Sequence, residues 1–125
     1  MDTTSKSYEQ RLQELTDNIP GALSAILSGI DGIGVASYNF DPAMDAALAD
    51  AEFATMLSSA NRAAVNLAVG EIIELMFTTE SVTVMLKLVG RDFYLSVGMQ
   101  AGAGNLGMAR LQMRRAADDF MKILY

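Results

Sequence analysis

The stretch from Pro42 to Val69 reads PAMDAALADAEFATMLSSANRAAVNLAV and predicts one long helix. Alanine, leucine and methionine dominate it, and no proline or glycine follows its first residue. Asp41 is a suitable N-cap for a helix that begins with proline, and Gly70 is a suitable terminator. At ~1.5 Å per residue the helix would extend about 40 Å, which is enough to cross a domain of this size. We therefore expect the other elements to pack around it.

This helix presents three faces when its residues are plotted at about 100° intervals. The first is an apolar stripe that suits a core: Phe53, Met56, Leu57, Ala60, Ala64 and Leu67. The second is a stripe of small residues at the spacing of a helix–helix seam: Ala47, Ala51, Ala54, Ser58 and Val65. The third is a narrow polar face: Asp45, Glu52, Thr55, Ser59, Arg62 and Asn66. The small-residue stripe predicts contact with a second subunit, and the alternative is that alanine is present only for its helix propensity.

The composition of the 125-residue chain predicts a single domain, residues 1–125, and excludes several kinds of site. Because there is no cysteine and no histidine, disulfides, thiolate nucleophiles, Ser-His-Asp triads and imidazole metal sites are excluded. No apolar run approaches the ~20 residues that span a bilayer, and the polar N-terminus lacks the apolar core of a signal peptide. We expect a cytoplasmic protein with no membrane partner.

The charge of the chain is unevenly distributed. The net charge of −6 argues against a nucleic-acid partner, whose binding depends on neutralising phosphates. Residues 1–80 carry 12 acidic and 3 basic side chains, a balance of −9, whereas residues 81–125 carry 3 acidic and 6 basic ones, a balance of +3. Such a dipolar surface suits an oriented contact with another protein.

Hydrophobic periodicity predicts an α+β fold in the order α-β-β-α-β-β-β-α, with a five-stranded antiparallel sheet between helices. The last three strands are joined by short turns and are apolar on both faces, so helices are expected on both sides of the sheet. The predicted elements are a helix over 5–18, strands over 22–29 and 33–39, the 42–69 helix, strands over 71–79, 82–89 and 92–99, and a helix over 105–124.

The segment from Gly102 to Gly107 has the formal pattern GxGxxG of a dinucleotide site. The pattern needs a βαβ unit, and here it follows a meander and precedes the last predicted helix. We interpret it as a connection in which Gly107 allows close packing of the helix on the sheet.

Paired charges elsewhere do not converge on a pocket. Asp118 and Asp119 point in different directions from one helical turn, and Glu71 and Glu74 are expected on opposite faces of a strand. An arginine cluster on the last helix could meet an acidic partner or a phosphate, but local pairing with Asp118 and Asp119 is the simpler expectation: Arg110, Arg114 and Arg115.

Three features of the chain resemble the roadblock/LC7 domain family. They are the hairpin region GIDGIGVAS at residues 29–37, the long alanine-rich helix, and the segment NLGMARLQMRRAA at residues 105–117. The order of the elements is also that of the family, and the likeness covers residues 8–124. The resemblance implies a roadblock fold, similar in architecture to profilin and longin domains, in a protein that is not an enzyme and needs no cofactor or metal.

The resemblance implies a homodimer in which the 42–69 helices lie side by side and the 71–79 strands pair across a two-fold axis. The expected interface combines the small-residue stripe with alternate residues of the strand: Ala47, Ala51, Ala54, Ser58, Val65, Ile72, Glu74 and Met76. A heterodimer with a paralogous chain is the alternative.

The resemblance also implies a partner, a small Ras-like GTPase of the MglA type, which the chain would regulate without chemistry of its own. The expected GTPase contact is the polar face of the long helix: Glu52, Thr55, Ser59, Arg62 and Asn66. One alternative is a structural dimer that scaffolds an assembly with no effect on nucleotide turnover. Another is a sensor that holds a small ligand between sheet and helix.

Overall fold

The computed structural model describes residues 6–39, 45–102 and 105–125. The helices and strands follow the predicted order, α-β-β-α-β-β-β-α, which confirms the α+β fold class. They are α1 Tyr8–Asp17, β1 Ala22–Gly29, β2 Gly34–Tyr38, α2 Ala46–Leu67, β3 Glu74–Thr78, β4 Val82–Val89, β5 Phe93–Gln100 and α3 Leu106–Leu124.

The five strands form one antiparallel sheet in the spatial order β2-β1-β5-β4-β3. The first hairpin occupies one side of the sheet and the meander of the last three strands occupies the other. β2 and β3 are the two edges, so α2 carries the chain from one edge to the other across a face of the sheet. Five strands spaced by about 4.8 Å are roughly 20 Å wide, a distance that a 22-residue helix of about 33 Å spans easily.

The larger core lies between the sheet and the pair α1 and α3. α1 begins with a capping box in which Ser7 Oγ accepts from Gln10 N at 3.1 Å and Gln10 Oε1 accepts from Ser7 N at 2.8 Å. The core holds fourteen buried apolar residues, with the ring of Phe120 fully enclosed.

The smaller core lies on the other face, beneath α2 alone. It has five buried residues: Ala54, Leu57, Val84, Leu86 and Tyr94. Two half-buried aromatic side chains complete it, Phe53 from α2 and Phe77 from the edge strand. The rings of Phe53 and Phe77 meet edge-on with centroids 6.1 Å apart. Helices therefore cover both faces, as the apolar pattern of the last three strands predicts.

The ends of α2 differ from the prediction. Asp45 is the N-cap, and its carboxylate accepts from Leu48 N at 3.2 Å, whereas Asp41 and Pro42 lie outside the described residues. At the other end Ala68, with φ of 55°, is the C-cap in place of Gly70. The long alanine-rich sequence predicts helix beyond the point at which the chain turns toward β3.

Three further expectations are wrong. Leu67 is not in the core, because 72% of it is exposed at the last turn of α2. The edge strand β3 begins at Glu74, so Glu71 and Glu74 do not share a strand. Gly107 is not required for close packing, since a Cβ there would meet only Asn105 Oδ1 at an ordinary 3.6 Å.

None of the helices described here is both long enough and apolar enough to cross a membrane.

Candidate interaction surface

The small-residue stripe of α2 does not form one continuous exposed surface. Ala54 is only 6% exposed and packs against the sheet of its own chain, so it is not available to a second subunit. Ala51 lies against the β1–β2 turn, where a Cβ on Gly32 would be 3.3 Å from Ala51 Cα. Ala51 nevertheless stays exposed, as do the outer members of the stripe: Ala47, Ser58 and Val65.

The predicted polar face of α2 is exposed along its whole length: Glu52, Thr55, Ser59, Arg62 and Asn66. Thr55 Oγ1 donates to Ala51 O at 3.0 Å within the helix, so this hydroxyl is partly engaged by its own backbone. No structural contact among the described residues assigns a partner to this face.

Two adjoining hollows separate α2 from the turns at the nearest end of the sheet. The larger, of about 340 Å³, lies between α2 and the β1–β2 turn: Ile30, Asp31, Ala51, Ala54, Thr55, Ser58 and Ser59. The smaller, of about 190 Å³, continues toward the β4–β5 turn: Ile30, Ala54, Leu57, Ser58, Asn61, Leu88 and Arg91. We call the two together the α2 cleft. Two residues of the predicted contact face, Thr55 and Ser59, therefore lie at the rim of a cleft.

Hydrogen bonds between turns fix the shape of the α2 cleft. Ile30 N donates to Asp92 O at 2.9 Å, which joins the β1–β2 turn to the β4–β5 turn. Asp92 N in turn donates to the hydroxyl of Tyr125 at 3.0 Å. The Tyr125 ring also packs edge-on against Phe93, with centroids 6.0 Å apart. The position of Arg91 at the rim is thus set by elements on both faces of the sheet.

A buried polar pair lies beside the α2 cleft. Tyr94 Oη donates to Asp50 O at 2.8 Å and links β5 to α2, and burial raises the pKa of this phenol to about 12. The Asp50 carboxylate lies against Gly34, where a Cβ would collide with it, and burial also raises the pKa of Asp50. Sequence reasoning missed this residue, although it precedes Ala54 by four positions and Leu57 by seven, on the core side of the helix.

The charged residues of α3 are arranged differently from the expectation. Arg110 Nε donates to both carboxylate oxygens of Glu74, at 2.7 and 3.1 Å, so this arginine holds the edge strand. Among the described residues the ion pairs are this one and Lys6–Glu14. The expected local pairing with Asp118 and Asp119 is therefore absent from that part of the chain, and Glu74 faces α3.

The edge strand and the segment before it carry exposed apolar side chains. Leu67, Val69 and Ile73 are 72%, 72% and 74% exposed, and they follow one another from the end of α2 to the start of β3. Met76 is exposed on β3 itself, and Ile72 is half-buried. No other strand of the described sheet pairs with the outer edge of β3. We call Leu67, Val69, Ile73 and the free edge the α2–β3 junction.

Within residues 6–39, 45–102 and 105–125, no three carboxylates come together in a way that could hold a metal ion. Small hydroxyl and apolar side chains line the α2 cleft, with one carboxylate and one guanidinium at its ends. Such a surface can position a segment of another protein.

Comparison with known families places the chain. The family model described as Roadblock/LC7 domain matches residues 8–99, which is well over half of the sequence. The chain belongs to the Roadblock/LC7 family.

Several solved structures share this fold at low sequence identity. A Roadblock/LC7 domain from Streptomyces avermitilis is 18% identical, with a TM-score of 0.86, and the match covers 95% of this chain and 98% of that one. MglB from Myxococcus xanthus is also 18% identical, with a TM-score of 0.84 and the same coverages. MglC from Myxococcus xanthus is 28% identical, with a TM-score of 0.63, and the match covers 94% and 98%. Among curated protein sequences, none matches this chain.

The Roadblock/LC7 model ends within β5, and α3 lies beyond it. A structural match over 95% of the chain leaves out too few residues to exclude this 19-residue helix. α3 is therefore part of the fold shared with the Streptomyces domain.

Proposed function

We propose that this Roadblock/LC7 chain is a non-enzymatic, homodimeric adaptor that works in the cytoplasm and regulates a small Ras-like GTPase by binding it. The observation that carries the proposal is the α2–β3 junction, where three large apolar side chains lead directly to an unpaired strand edge. Membership of the family supports the GTPase as the class of partner.

A second copy of the chain is the partner that the junction fits best. An exposed edge strand presents unpaired backbone groups, and natural proteins rarely leave one beside a large apolar patch. A two-fold axis through β3 would pair the two edges antiparallel and bring the two junctions together, since each copy would offer the same surface. The exposed outer members of the small-residue stripe, Ala47, Ser58 and Val65, and the strand residues Ile72 and Met76 remain within the proposed interface.

The dimer can be tested at the junction by light scattering. The wild-type chain is expected at about twice 13.4 kDa. Leu67→Arg should shift it toward the monomer, because a guanidinium would be buried in an apolar contact. Ile33→Arg is the matched control, because Ile33 is 70% exposed but lies on the β1–β2 turn. Ala54→Arg is not a suitable test, since it would disrupt the chain's own core. A wild-type monomer at micromolar concentration would contradict the proposal.

The proposed GTPase contact combines the polar face of α2 with the α2 cleft. Thr55 and Ser59 belong to both, and Arg91 and Asp31 mark the two ends of the cleft. A mobile switch loop of the partner could be held there by small side chains that permit close backbone approach. On this proposal the chain acts by fixing the conformation of the partner, and Glu52, Arg62 and Asn66 extend the contact along the helix.

An assay of nucleotide turnover tests the regulatory role. The purified chain is incubated with each small GTPase of its own genome, and GTP hydrolysis and nucleotide release are followed. Ser59→Arg should weaken any effect by about tenfold or more, because it fills the rim of the α2 cleft. Ser81→Arg is the matched control. Ser81 lies in the β3–β4 turn, at the end of β4 opposite to the β4–β5 turn that borders the α2 cleft. Stable complexes without any change in turnover would instead identify the chain as a scaffold.

A further inference from the structure

A second groove lies on the opposite face of the sheet from α2, between α3 and the start of the edge strand. It encloses about 180 Å³, and seven residues line it: Ile73, Glu74, Met85, Lys87, Arg110, Met113 and Arg114. We call it the α3 groove. Met85 and Met113 form a buried apolar floor, each about 1% exposed, and Ile73 adds an exposed apolar wall.

The rim of the α3 groove is basic, although the chain as a whole is acidic. Three cationic side chains and one carboxylate line it, and that carboxylate, Glu74, is engaged by Arg110 Nε. Lys87 and Arg114 form no ion pair with any described residue. The groove therefore carries excess positive charge in a protein of net charge −6.

The size and lining of the α3 groove restrict what it can hold. Ligand pockets for drug-sized molecules are typically about 300–1,000 Å³, so this groove is too small for one and has room for about one large apolar side chain. Its methionine floor is adaptable, because thioether side chains repack easily around different shapes. Cationic side chains around an apolar floor match an anchor residue that is flanked by carboxylates.

We propose that the α3 groove binds an acidic peptide segment of another protein, with one apolar side chain seated on Met85 and Met113 and its carboxylates at Lys87 and Arg114. The groove opens on the face away from α2, so the segment can bind while the α2 cleft is occupied. A bare phosphate would leave the apolar floor uncovered, which favours a peptide over an inorganic anion.

Selection from a library of random peptides tests this inference without a known partner. The folded wild-type chain is the target, and peptides that also bind the Lys87→Glu/Arg114→Glu variant are discarded. The expected survivors carry acidic residues around an apolar one. Their affinity for the double variant should be at least about tenfold lower, and it should fall as salt screens the charges. Arg115→Glu, the same change one residue along α3 and outside the groove, should alter affinity by no more than about twofold.

Several results would overturn the inference. These are the absence of enriched peptides, enrichment without an excess of acidic residues, and an equal loss of affinity in Arg115→Glu. A changed oligomeric mass in the double variant would show that a second copy of the chain occupies the groove. If the chain bound vesicles of anionic lipid as tightly as it binds the selected peptides, the basic rim of the α3 groove would be assigned to a membrane surface. If the double variant does not fold, the same selection uses Lys87→Gln/Arg114→Gln in its place. This variant removes the two positive charges without reversing them.

Discussion

The two faces of the sheet are covered to very different degrees. Two helices, α1 and α3, shield one face and enclose fourteen buried apolar residues, whereas α2 alone shields the other and encloses five. The single helix also leaves Leu48, Val65 and Leu67 exposed. One helix covers less of a sheet face than two helices do, so more apolar surface on this side stays exposed to solvent. The thinly covered face is therefore where association with other subunits is expected, and the thickly covered face is where stability resides.

The strongest test of this contrast compares one buried side chain from each face. Phe120→Ala should lower the free energy of unfolding by about 3–5 kcal/mol, because the fully buried ring leaves a cavity among rigid neighbours. Leu57→Ala should lower it by about 2–3 kcal/mol, since this leucine borders the α2 cleft, into which the surroundings can relax. Urea unfolding followed by circular dichroism measures both. A larger loss for Leu57→Ala would reverse the proposed division of stability.

The contact between the β1–β2 turn and α2 gives the next largest effect. Gly32 has φ of 87° and would place a Cβ 3.3 Å from Ala51 Cα, so Gly32→Ala combines backbone strain with a contact that is tighter than ordinary packing. We expect a loss of about 2–3 kcal/mol. Gly102→Ala is the matched control, because φ is 77° there but a Cβ would meet no atom of the described residues within 4 Å. The free energy of unfolding of that control should fall by only about 1 kcal/mol. Equal losses in the two variants would show that the β1–β2 turn can move away from α2 at little cost.

A buried carboxylate makes the α2 face sensitive to pH. Burial raises the pKa of Asp50 above its ordinary value of 3.8, so ionisation costs more in the folded state than in the unfolded chain. The destabilisation caused by the Asp50 charge is absent below pH 3.8, grows as the pH rises from there to the folded pKa, and is constant above the folded pKa. Asp50→Asn should therefore raise the thermal midpoint at neutral pH, and the gain should shrink toward acid pH. Asp118→Asn makes the same change on the exposed side of α3, and an identical profile there would remove Asp50 as the cause.

Sequence patterns predict the fold well where periodicity and turns agree. β4 has the predicted bounds, Val82–Val89, because alternating apolar residues are flanked by clear turn residues on both sides. Helix α2 is shorter than predicted, because alanine favours helix beyond the last residue that packs on the sheet, and Leu67 continues the apolar period after the core has ended. Periodicity describes a local surface and does not show where the neighbouring element stops.

The candidate sites depend on contacts between distant parts of the chain, so less of them could be predicted. The polar face of α2 is exposed as expected, but the α2 cleft exists only because the β1–β2 turn approaches the helix at Gly32. Arg110 meets Glu74 across 36 positions of sequence, whereas local spacing favours Asp118 and Asp119 as partners for the arginine cluster of α3. Asp50 was overlooked because a carboxylate on the core side of a helix contradicts the usual apolar pattern.

The smallest expected effect concerns the ion pair that ties the edge strand to the thickly covered face. Glu74→Gln removes the charge that Arg110 binds, but the two side chains are 33% and 49% exposed, so the loss should be about 0.5–1 kcal/mol at low salt and less at high salt. Glu14→Gln, which removes the Lys6–Glu14 pair on α1, is a control of similar exposure. If Glu74→Gln lost more than about 2 kcal/mol while Glu14→Gln did not, the pair would be a principal support of β3. The edge strand would then depend for its position on α3, and occupation of the α3 groove would be coupled to the strand edge at which the second copy is proposed to pair.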